Sequence, residues 1–457
     1  MDYSVLIKSS NGKKSRVGIV GATSGYGYTL LAQISQVSLM ELRMICALDA
    51  GDCQRVLLEL GYDRENMVIC ENARQLYAAP DQAILILTDY HLVPETDITA
   101  LVECTGNTVV GSWLSEEALK KGIHVYMVSK ETDSVCGVAM NQIAEQYHSI
   151  YTLVNGDQPR NLLDLISWGR VLGLDIVCAG KSSEYDFVWD PDTGEFTYLN
   201  DTDQPREPMP GMKALWHYQG TETLKKRECL LEKYRAVISA DLCEMNLVSN
   251  ATGMPPACKS MHYPVAKISE LADIFIPRED GGILEKTGVV DVFYNLRRPD
   301  EASFAGGVFL IIRCKNEKVW KILTGKGHVV SRNQKYACVY LPYHYMGLES
   351  PISILLGDLM GIGANENCRQ VAVMAAVAQE DIPKGTVLQV HGHHHSIDHI
   401  TPQLWEKKEA ANLAPFYLLN NGSLVNDIKK GDPITLSDVN PEGQRLVELY
   451  RMGMALE

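Results

Sequence analysis

The sequence predicts an α/β protein that begins with a doubly wound parallel sheet, and three observations support this prediction. Short apolar segments alternate with segments of helical spacing through residues 1–155. A glycine-rich segment directly follows the first of the apolar segments. The chain has 457 residues, which is too many for one ordinary core, so two or three domains are expected.

The predicted strands of the first domain are apolar along their whole length. Strands of this kind, separated by helices, are typical of a parallel sheet that is covered on both faces. They are residues 17–20, 43–48, 83–88, 100–104 and 125–128. Helical spacing between them is clearest at residues 24–34 and 132–147. Such folds bind ligands in a crevice at the carboxyl ends of the strands.

The rest of the chain contains further strands and a repeated phrase. The segments "IYTLVNGDQPR" and "LDIVCAGK" each contain a new strand. Residues 182–220 are rich in Asp, Pro, Gly and Thr, which disfavour regular structure, and they predict a long surface excursion or lid. Near the C-terminus, "QEDIPKGTVL" and "VNDIKKGDPITLSDV" share the pattern Asp-Ile-x-Lys-Gly. They predict a small β domain of two related halves, or a coincidence of common turn chemistry.

Composition excludes several classes of protein. Apolar residues make up 46% of the chain and charged residues 22%, as in soluble globular proteins. The formal net charge of −15 argues against a nucleic-acid partner. The N-terminus does not resemble a signal peptide, and no apolar run is long enough to span a membrane. The 12 cysteines are scattered, as in reduced cytosolic proteins. We therefore expect a cytoplasmic protein that binds neither nucleic acid nor membrane.

The glycine-rich segment "GIVGATSGYG" is the first candidate site. A helix that begins just after a strand offers unpaired N–H groups to a pyrophosphate. The match to the dinucleotide-binding pattern Gly-x-Gly-x-x-Gly is partial, because Thr23 occupies the second glycine position. The alternative is a tight packing turn without a ligand. The candidate cofactor-binding residues here are Gly21, Ala22, Thr23, Ser24, Gly25, Tyr26 and Gly27.

Two later positions favour the dinucleotide interpretation. Asp49 closes the next strand, where a carboxylate accepts hydrogen bonds from both ribose hydroxyls and repels a 2′-phosphate. NAD is therefore preferred over NADP. Thr105 and Gly106 end another core strand with a small step, where a nicotinamide ribose has room to approach.

A series of motifs then occurs in one order: "VSKETD", "NGDQPR", "VCAGK", "CEMNLVSNATGMPP", "MHYP", "GGILEKTGVVD" and "LPYHYMGLESP". This series resembles the homoserine-dehydrogenase-like oxidoreductases with a C-terminal SAF domain, a group that includes the deoxyxylulose-phosphate-reductoisomerase-like enzymes. The resemblance implies a Rossmann domain (1–155), an α/β catalytic and oligomerisation domain with an insertion (156–365) and a β-clip SAF domain (366–457). It also implies NAD(P)-dependent chemistry in a homo-oligomer.

Lys181 is the first candidate for catalysis. Hydride transfer at a carbinol carbon needs a group that handles the hydroxyl proton and positive charge beside the oxyanion. Lys181 follows the strand "LDIVCAG", where burial is expected to lower the pKa of its ammonium toward neutrality. The alternative is a surface lysine at the end of a strand. Asp157, after "YTLVNG", is expected to orient Lys181, to hold a metal or a substrate hydroxyl, or simply to form a turn.

Other candidates come from the same motifs. Lys130 follows the strand "HVYMVS", where homoserine dehydrogenases have a catalytic lysine, whereas the register of the SAF-bearing members favours Glu131. Glu244 is a carboxylate in an apolar stretch, which is costly to bury unless it pairs with a group such as Lys181. The remaining candidates bind substrate or are structural polar groups: Asn250, Thr252, Gly253 and His344.

The histidine-rich stretch "HGHHHSIDH" suggests either a metal site or a polar loop. Because it belongs to the C-terminal domain, we expect it to lie far from the crevice, and we assign no metal ligands. A divalent metal in the catalytic domain remains an option, as in the reductoisomerases.

The leading functional hypothesis is an NAD(P)-dependent oxidoreductase that acts on a small hydroxy or keto acid or a sugar derivative. The first alternative is a reductoisomerase, which rearranges its substrate with a divalent metal before reducing it. The segment "SSEYD" after Lys181 stands where the family has glycine and asparagine, so a different substrate pocket is expected. The second alternative is a cofactor-binding sensor or scaffold whose SAF domain binds a partner.

Overall fold

A computed structural model describes residues 3–23, 25–199, 205–314, 316–364, 367–392 and 394–456. The first part of the chain forms one sheet with its helices. Its elements are α1 (Ser4–Ser9), β1 (Ser15–Val20), α2 (Gly25–Ile34), β2 (Met40–Cys46), α3 (Ala50–Glu59), β3 (Met67–Cys70), α4 (Ala73–Ala78), β4 (Ile84–Leu87), β5 (Ala100–Glu103), α5 (Thr108–Lys120), β6 (His124–Met127), α6 (Lys130–Gln146) and β7 (Tyr151–Leu153).

This sheet has seven strands in the order β3-β4-β2-β1-β5-β6-β7, and all neighbours are parallel. Apolar clusters cover both of its faces, as the apolar strands predicted. The doubly wound sheet is therefore confirmed. The chain runs outward on one side of β1 and then returns to start β5 on the other side, so a ligand crevice is expected between the carboxyl ends of these two strands.

The middle of the chain forms a second, mixed sheet. Its elements are α7 (Gln158–Val171), β8 (Asp175–Ser182), β9 (Phe187–Trp189), β10 (Glu195–Tyr198), β11 (Arg206–Pro208), α8 (Met212–Leu215), α9 (Thr221–Leu230), α10 (Ser239–Thr252), β12 (Val265–Ala266), α11 (Leu271–Ile274), β13 (Val289–Arg297), β14 (Val308–Arg313), α12 (Glu317–Gly325), β15 (Val329–Val330), β16 (Tyr336–Leu341) and α13 (Ser350–Met360). The strand order is β11-β10-β9-β13-β8-β14-β16-β15, and β12 pairs with β13.

The expected irregular excursion at residues 182–220 is wrong for its first half. The strands β9, β10 and β11 form an edge of the mixed sheet there, with antiparallel pairing between neighbours. Buried aromatic rings of Phe187, Trp189 and Phe196 supply the packing that the Asp- and Pro-rich composition concealed. The acidic residues between them form the connecting turn, where Asp190 accepts the backbone N–H of Asp192 at 2.8 Å.

The C-terminal unit contains β17 (Ala372–Ala378), β18 (Val390–His391), β19 (Ser396–Ile397), β20 (Ile400–Glu406), β21 (Ser423–Leu424), β22 (Val439–Asn440) and α14 (Gln444–Ala455). The two repeated phrases face each other in it. The backbone N–H of Ile382 and that of Ile428 each donate to the other's carbonyl at 2.8 Å. Asp381 accepts from the N–H of Lys430, and Asp427 accepts from that of Lys384. The two phrases therefore pair reciprocally, as expected of two related halves, and the duplication itself stays a prediction.

Two helices from later in the chain, α13 and α14, contact the first sheet and its helices. The Tyr126 hydroxyl, at β6, donates to the carbonyl of Ile354 in α13 at 3.0 Å. At the start of α14, Arg445 forms a bidentate pair with Glu116 of α5. All 12 cysteines are free. Within the described residues, no helix is both long and apolar enough to cross a membrane.

Candidate active site

A cavity of about 420 Å³ lies where the carboxyl ends of the first sheet meet the mixed sheet. The start of α2, the end of β5 and the first turn of α6 form one side of it. The starts of α7 and α10 and the segment after β8 form the other side. The residues lining it include Tyr26, Cys104, Gly106, Ser129, Lys130, Glu131, Asp157, Gln158, Glu184, Ala240, His344 and His395.

The glycine turn between β1 and α2 requires its glycines. Gly21 has φ +87°, and a Cβ there would lie 2.6 Å from the carbonyl oxygen of Cys104 in the neighbouring strand connection. A Cβ at Gly27 would overlap the carbonyl of Gly21, whereas the space beside Gly25 is open. The helix N-terminus is therefore packed tightly against the sheet and open on its outer side. This arrangement fits the pyrophosphate of a dinucleotide.

The other cofactor candidates surround this turn. Ala22 is buried, Thr23 is in the turn, and Ser24 lies outside the described residues. The Tyr26 hydroxyl donates to the carbonyl of Asn155 at 3.0 Å. Asp49 is exposed beyond β2 and caps α3 by accepting the N–H of Asp52 at 2.8 Å.

The end of β5 is held by side-chain hydrogen bonds. Gly106 has φ +67°, lines the cavity and donates its N–H to the Ser129 hydroxyl at 2.8 Å. The N–H of Thr105 donates to Glu103 at 2.9 Å. Burial raises the pKa of Glu103, and hydrogen bonds from Ser129 and Thr105 to its carboxylate offset the shift only in part. Glu103 and Ser129 were not singled out from the sequence, and "ECTGN" was the signal that could have found the first.

Two lysines converge on one buried carboxylate. The side chain of Glu244 is 0% exposed and accepts hydrogen bonds from Lys130 at 2.5 Å and from Lys181. Burial alone would raise the pKa of Glu244, but the two ammonium groups outweigh it and lower that pKa. The predicted pairing of Glu244 with Lys181 is confirmed. Lys130 makes a further ion pair with Asp157 at 3.5 Å.

The two lysines differ in their access to the cavity. Lys130 lines it, with a side chain 22% exposed, whereas Lys181 lies behind Glu244 with no exposed surface. Burial opposes the charge of Lys181, but Asp241 at 2.5 Å and Glu244 outweigh it, so the pKa of Lys181 is raised. The expected lowering of this pKa toward neutrality is therefore wrong. The pKa of Lys130 is also raised, because Asp157 and Glu244 outweigh its burial.

Asp157 and His344 both line the cavity. Asp157 is the N-cap of α7 and accepts the N–H of Gln158 at 2.9 Å. Burial raises the pKa of Asp157, and the charge of Lys130 offsets this only in part. Its expected partner was Lys181, but it lies beside Lys130 instead. Burial lowers the pKa of His344, so its imidazole is neutral at physiological pH.

The histidine-rich stretch reaches the cavity, so the expectation that it lies far from the crevice is wrong. His395 lines the cavity and hydrogen-bonds with Glu131 in the first turn of α6. His394 hydrogen-bonds with Glu184 at 2.8 Å. The packing of the C-terminal unit on α5 and α6 brings the stretch there, and no local sequence pattern reports such packing.

Glu184 is a cavity residue that sequence reasoning missed. Burial alone would raise its pKa, but the hydrogen bond from His394 and the charges of Lys181 and Lys130 outweigh it and lower the pKa of Glu184 to about 2. The signal was present in "SSEYD", directly after Lys181. Gln158 was also missed; its Oε1 is buried at the cavity, and none of the described residues forms a hydrogen bond with it.

The predicted substrate residues on α10 lie away from the cavity. Ala240, in the first turn, lines it, and Asn250 follows ten residues later, about 15 Å along the helix axis. Asn250 accepts N–H groups of Val371 and Ala372 and so holds the C-terminal unit. The Thr252 hydroxyl donates within the helix at 2.6 Å, and Gly253 ends the helix at φ +78°. These roles are structural.

No metal ligands were assigned from the sequence. In the part of the chain that the structure describes, no group of three or more His, Cys, Asp or Glu side chains is arranged to hold a metal ion. Within the histidine-rich stretch, which suggested a metal site, His393 lies outside the described residues. His391 pairs with Asp398 at 2.8 Å instead.

Comparison with known families supports an enzymatic reading of this region. Residues 238–350, which include Glu244 and His344, match the family model for the catalytic domain of oxidoreductase DRL. A search of curated proteins finds no significant match.

Several solved structures are distantly similar. Scyllo-inositol dehydrogenase from Lactobacillus casei, with NAD(H) and scyllo-inositol, is 12% identical over 78% of this chain and 93% of its own, with a TM-score of 0.38. A probable dehydrogenase from Thermotoga maritima is 11% identical over 77% of this chain and 92% of its own, with a TM-score of 0.37. 1-Deoxy-D-xylulose 5-phosphate reductoisomerase from Zymomonas mobilis, with NADPH, is 12% identical over 38% and 46%, with a TM-score of 0.28.

The chain thus spans less than half the length of the reductoisomerase structures that it matches. All these TM-scores lie below 0.5, so the fold is established by the sheet topology rather than by these structures. The catalytic-domain match is the finding that bears on function. Residues 238–350 are similar to an oxidoreductase catalytic domain.

Proposed function

We propose that this protein is an NAD(P)-dependent oxidoreductase that acts on a small polar hydroxy or keto acid, or on a sugar derivative. One observation carries the proposal. The ammonium group of Lys130 faces a cavity that opens beside the glycine turn, at the carboxyl ends of β1 and β5. The similarity of residues 238–350 to an oxidoreductase catalytic domain supports it.

The nicotinamide nucleotide would be held by the glycine turn, Asp49 and Gly106. Its chemistry would be the transfer of a hydride to or from the substrate carbon. Asp49 is exposed directly after β2, a position at which a carboxylate favours NAD over NADP. Gly106 lines the cavity without a side chain and so leaves space there for the nucleotide.

Lys130 stabilises the oxygen at the reacting carbon. Its ammonium stays charged because Asp157 and Glu244 raise its pKa. These two carboxylates also fix its position, so that a donor is oriented before the charge develops on the oxygen. Lys181 acts through Glu244 and is a positioning residue in this scheme.

His344 transfers the proton. Its lowered pKa keeps the imidazole neutral, so it accepts the hydroxyl proton during oxidation and returns it during reduction. One site thus holds a charged lysine and a neutral histidine, a separation of pKa values that is typical of acid–base pairs. The unpartnered Oε1 of Gln158 accepts a hydrogen bond from a substrate hydroxyl.

An acidic substrate fits the backbone around the cavity. The N-terminal ends of α6, α7 and α10 supply Lys130, Gln158 and Ala240 to its lining. Helix N-termini carry partial positive charge and unpaired N–H groups. Among the described residues, no side chain caps the first turn of α6 or α10, which leaves their dipoles as the contribution of these helices to a carboxylate.

The finer assignments are part of the same proposal. The chain is a homoserine-dehydrogenase-like enzyme with a SAF domain, divided at residues 155 and 365, and it works as a homo-oligomer in the cytoplasm. The repeated halves of the C-terminal unit support the SAF assignment. The reductoisomerase alternative predicts turnover that depends on added Mg²⁺ and a rearranged carbon skeleton. The sensor alternative predicts nucleotide binding without turnover.

The test is a fluorescence titration with NADH and NADPH, followed by a panel of hydroxy and keto acids with the preferred nucleotide. We expect NADH to bind more tightly and at least one acid to change the nicotinamide absorbance. Lys130→Met should retain nucleotide binding and lose turnover, whereas Lys286→Met, at an exposed lysine paired with Glu406, should retain both. If neither nucleotide binds, the proposal is refuted.

A further inference from the structure

A hairpin of the C-terminal unit enters the candidate active site. This hairpin comprises residues 390–397, of which 393 lies outside the described residues. Its strands pair Val390 with Ile397 and His391 with Ser396. The hairpin begins more than 250 residues after α6 begins in the chain, yet its tip contacts the first turn of that helix.

Two imidazole–carboxylate contacts hold the tip over the cavity. Nδ1 of His395 hydrogen-bonds with Glu131, whose side chain is only 7% exposed. Nδ1 of His394 hydrogen-bonds with Glu184 at 2.8 Å, and its ring packs edge-on against Tyr185 with centroids 5.5 Å apart. Both carboxylates belong to the cavity lining. The tip is therefore held from both walls.

His395 also lies beside the backbone that would receive the nicotinamide end of the nucleotide. A Cβ on Gly106 would lie 3.9 Å from Cε1 of His395. Gly106 ends β5, one of the two strands that flank the crevice. Because Nδ1 of His395 is engaged by Glu131, its Nε2 is the nitrogen left for a ligand.

The backbone of His395 is consistent with a functional position. Its φ is +50°, in the left-handed region that residues other than glycine rarely adopt. Such conformations persist only where surrounding contacts hold them. The contact with Glu131 is one that holds this residue.

We propose that His395 is part of the nicotinamide-nucleotide site, supplied by the C-terminal unit and positioned by Glu131. This inference rests on the proposed function. The charged groups that face the imidazole are Glu131 and Lys130 from α6 and Glu184 from the segment after β8. The hydrogen bond with Glu131 raises the pKa of His395 above the ordinary value of a histidine and fixes the ring beside Gly106.

NADH fluorescence titration of the full chain tests this by comparing substitutions at two histidines of the same hairpin. His395→Ala should weaken NADH binding at least tenfold. His391→Ala is the matched control, because His391 is exposed, pairs with Asp398 and does not line the cavity. It should bind NADH as the unaltered protein does. Equal binding by all three proteins, or equal weakening by both substitutions, would overturn the proposal.

A second measurement does not depend on a nucleotide. Cys104 lines the cavity, and its labelling by N-ethylmaleimide reports whether the hairpin covers it. His395→Ala should speed the labelling of Cys104 severalfold and leave that of the exposed Cys229 unchanged. If the unaltered protein binds neither NADH nor NADPH, the proposed function fails. If His395→Ala also leaves the labelling rate of Cys104 unchanged, the hairpin does not cover the cavity, and the inference about His395 fails separately.

Discussion

The two sides of Glu244 differ although both hold a lysine. On the cavity side, Lys130 contacts Asp157 and Glu244 and keeps a side chain 22% exposed. On the opposite side, Lys181 contacts Asp241 and Glu244 with no exposure at all. Opposite charges can hold a buried lysine in either setting. What separates a catalytic candidate from a structural ion pair here is whether a ligand can reach the ammonium.

The enclosed side is a more complete hydrogen-bond network. Asp241 accepts from Lys181 at 2.5 Å, from the Ser183 hydroxyl at 2.7 Å and from the Tyr263 hydroxyl at 3.2 Å. All of these side chains are buried. The cavity side leaves room for a substrate next to Lys130 and His344. Substitutions on the two sides should therefore affect different properties of the protein.

The largest expected effect is on stability, at the enclosed side. Lys181→Met leaves Asp241 without its ion-pair partner in a site that water cannot reach. We expect the free energy of unfolding to fall by about 3–5 kcal/mol, measured by urea denaturation. Adding Asp241→Asn should restore part of the loss, because it removes the uncompensated charge. A loss below about 1 kcal/mol would mean that the enclosed ion pair is not structural.

The next effect is on activity, at the cavity side. Lys130→Met removes the positive charge beside the reacting oxygen, so kcat should fall about 100-fold to 1,000-fold. The stability loss should be smaller than that of Lys181→Met, because Glu244 retains Lys181. Steady-state kinetics and urea denaturation of the same two variants check this. A kcat within a factor of two of that of the unaltered protein would contradict the role of Lys130.

The pH dependence of kcat tests the role of His344 on the cavity side. His344 accepts a proton only when its imidazole is neutral, and burial places its pKa below the ordinary value of 6.5. In the oxidation direction, kcat should therefore be level at neutral pH and decline only as pH falls through that lowered pKa, by about tenfold per pH unit. His344→Asn should abolish this acidic limb. An acidic limb that survives the substitution would assign the proton to another group.

The smallest expected effect is on stability, at the longest hydrogen bond to Asp241. Tyr263→Phe removes one of the hydrogen bonds to Asp241, the one at 3.2 Å. Unfolding should become easier by about 1 kcal/mol, and kcat should not change. Thermal denaturation and steady-state kinetics measure the two quantities. A drop in kcat without a drop in stability would show that the enclosed side takes part in catalysis.

The regular parts of the fold were predictable because their information is local. Apolar segments without alternating polar residues, placed between helices, predicted the parallel sheet. The boundaries of β1, β5 and β6 agree with the prediction within two residues. The strand β3 was not predicted, because "MVIC" is short and only partly buried. The strands β9 and β10 were missed because turn-forming acidic residues separate their buried aromatic residues, and β11 was missed because its three residues are polar or proline and mostly exposed.

The site was predictable by residue type but not by arrangement. Lys130, Lys181, Asp157, Glu131, Glu244 and His344 all lie in or directly behind one cavity region. Which lysine faces the cavity depends on the direction of each side chain from its helix or strand. The displacement of Asn250 from the cavity follows from the length of α10, whose start alone reaches it.

The amino-acid order alone determined the doubly wound sheet, the glycine turn and the duplicated C-terminal phrase, since each depends on spacings within a short stretch of chain. Only the tertiary structure decided that Lys181 is enclosed, that Lys130 is open to the cavity and that His395 joins it. These facts depend on contacts between residues at least 60 positions apart in the chain. Burial and ion pairing across such distances are properties of the packed molecule, and no local pattern encodes them.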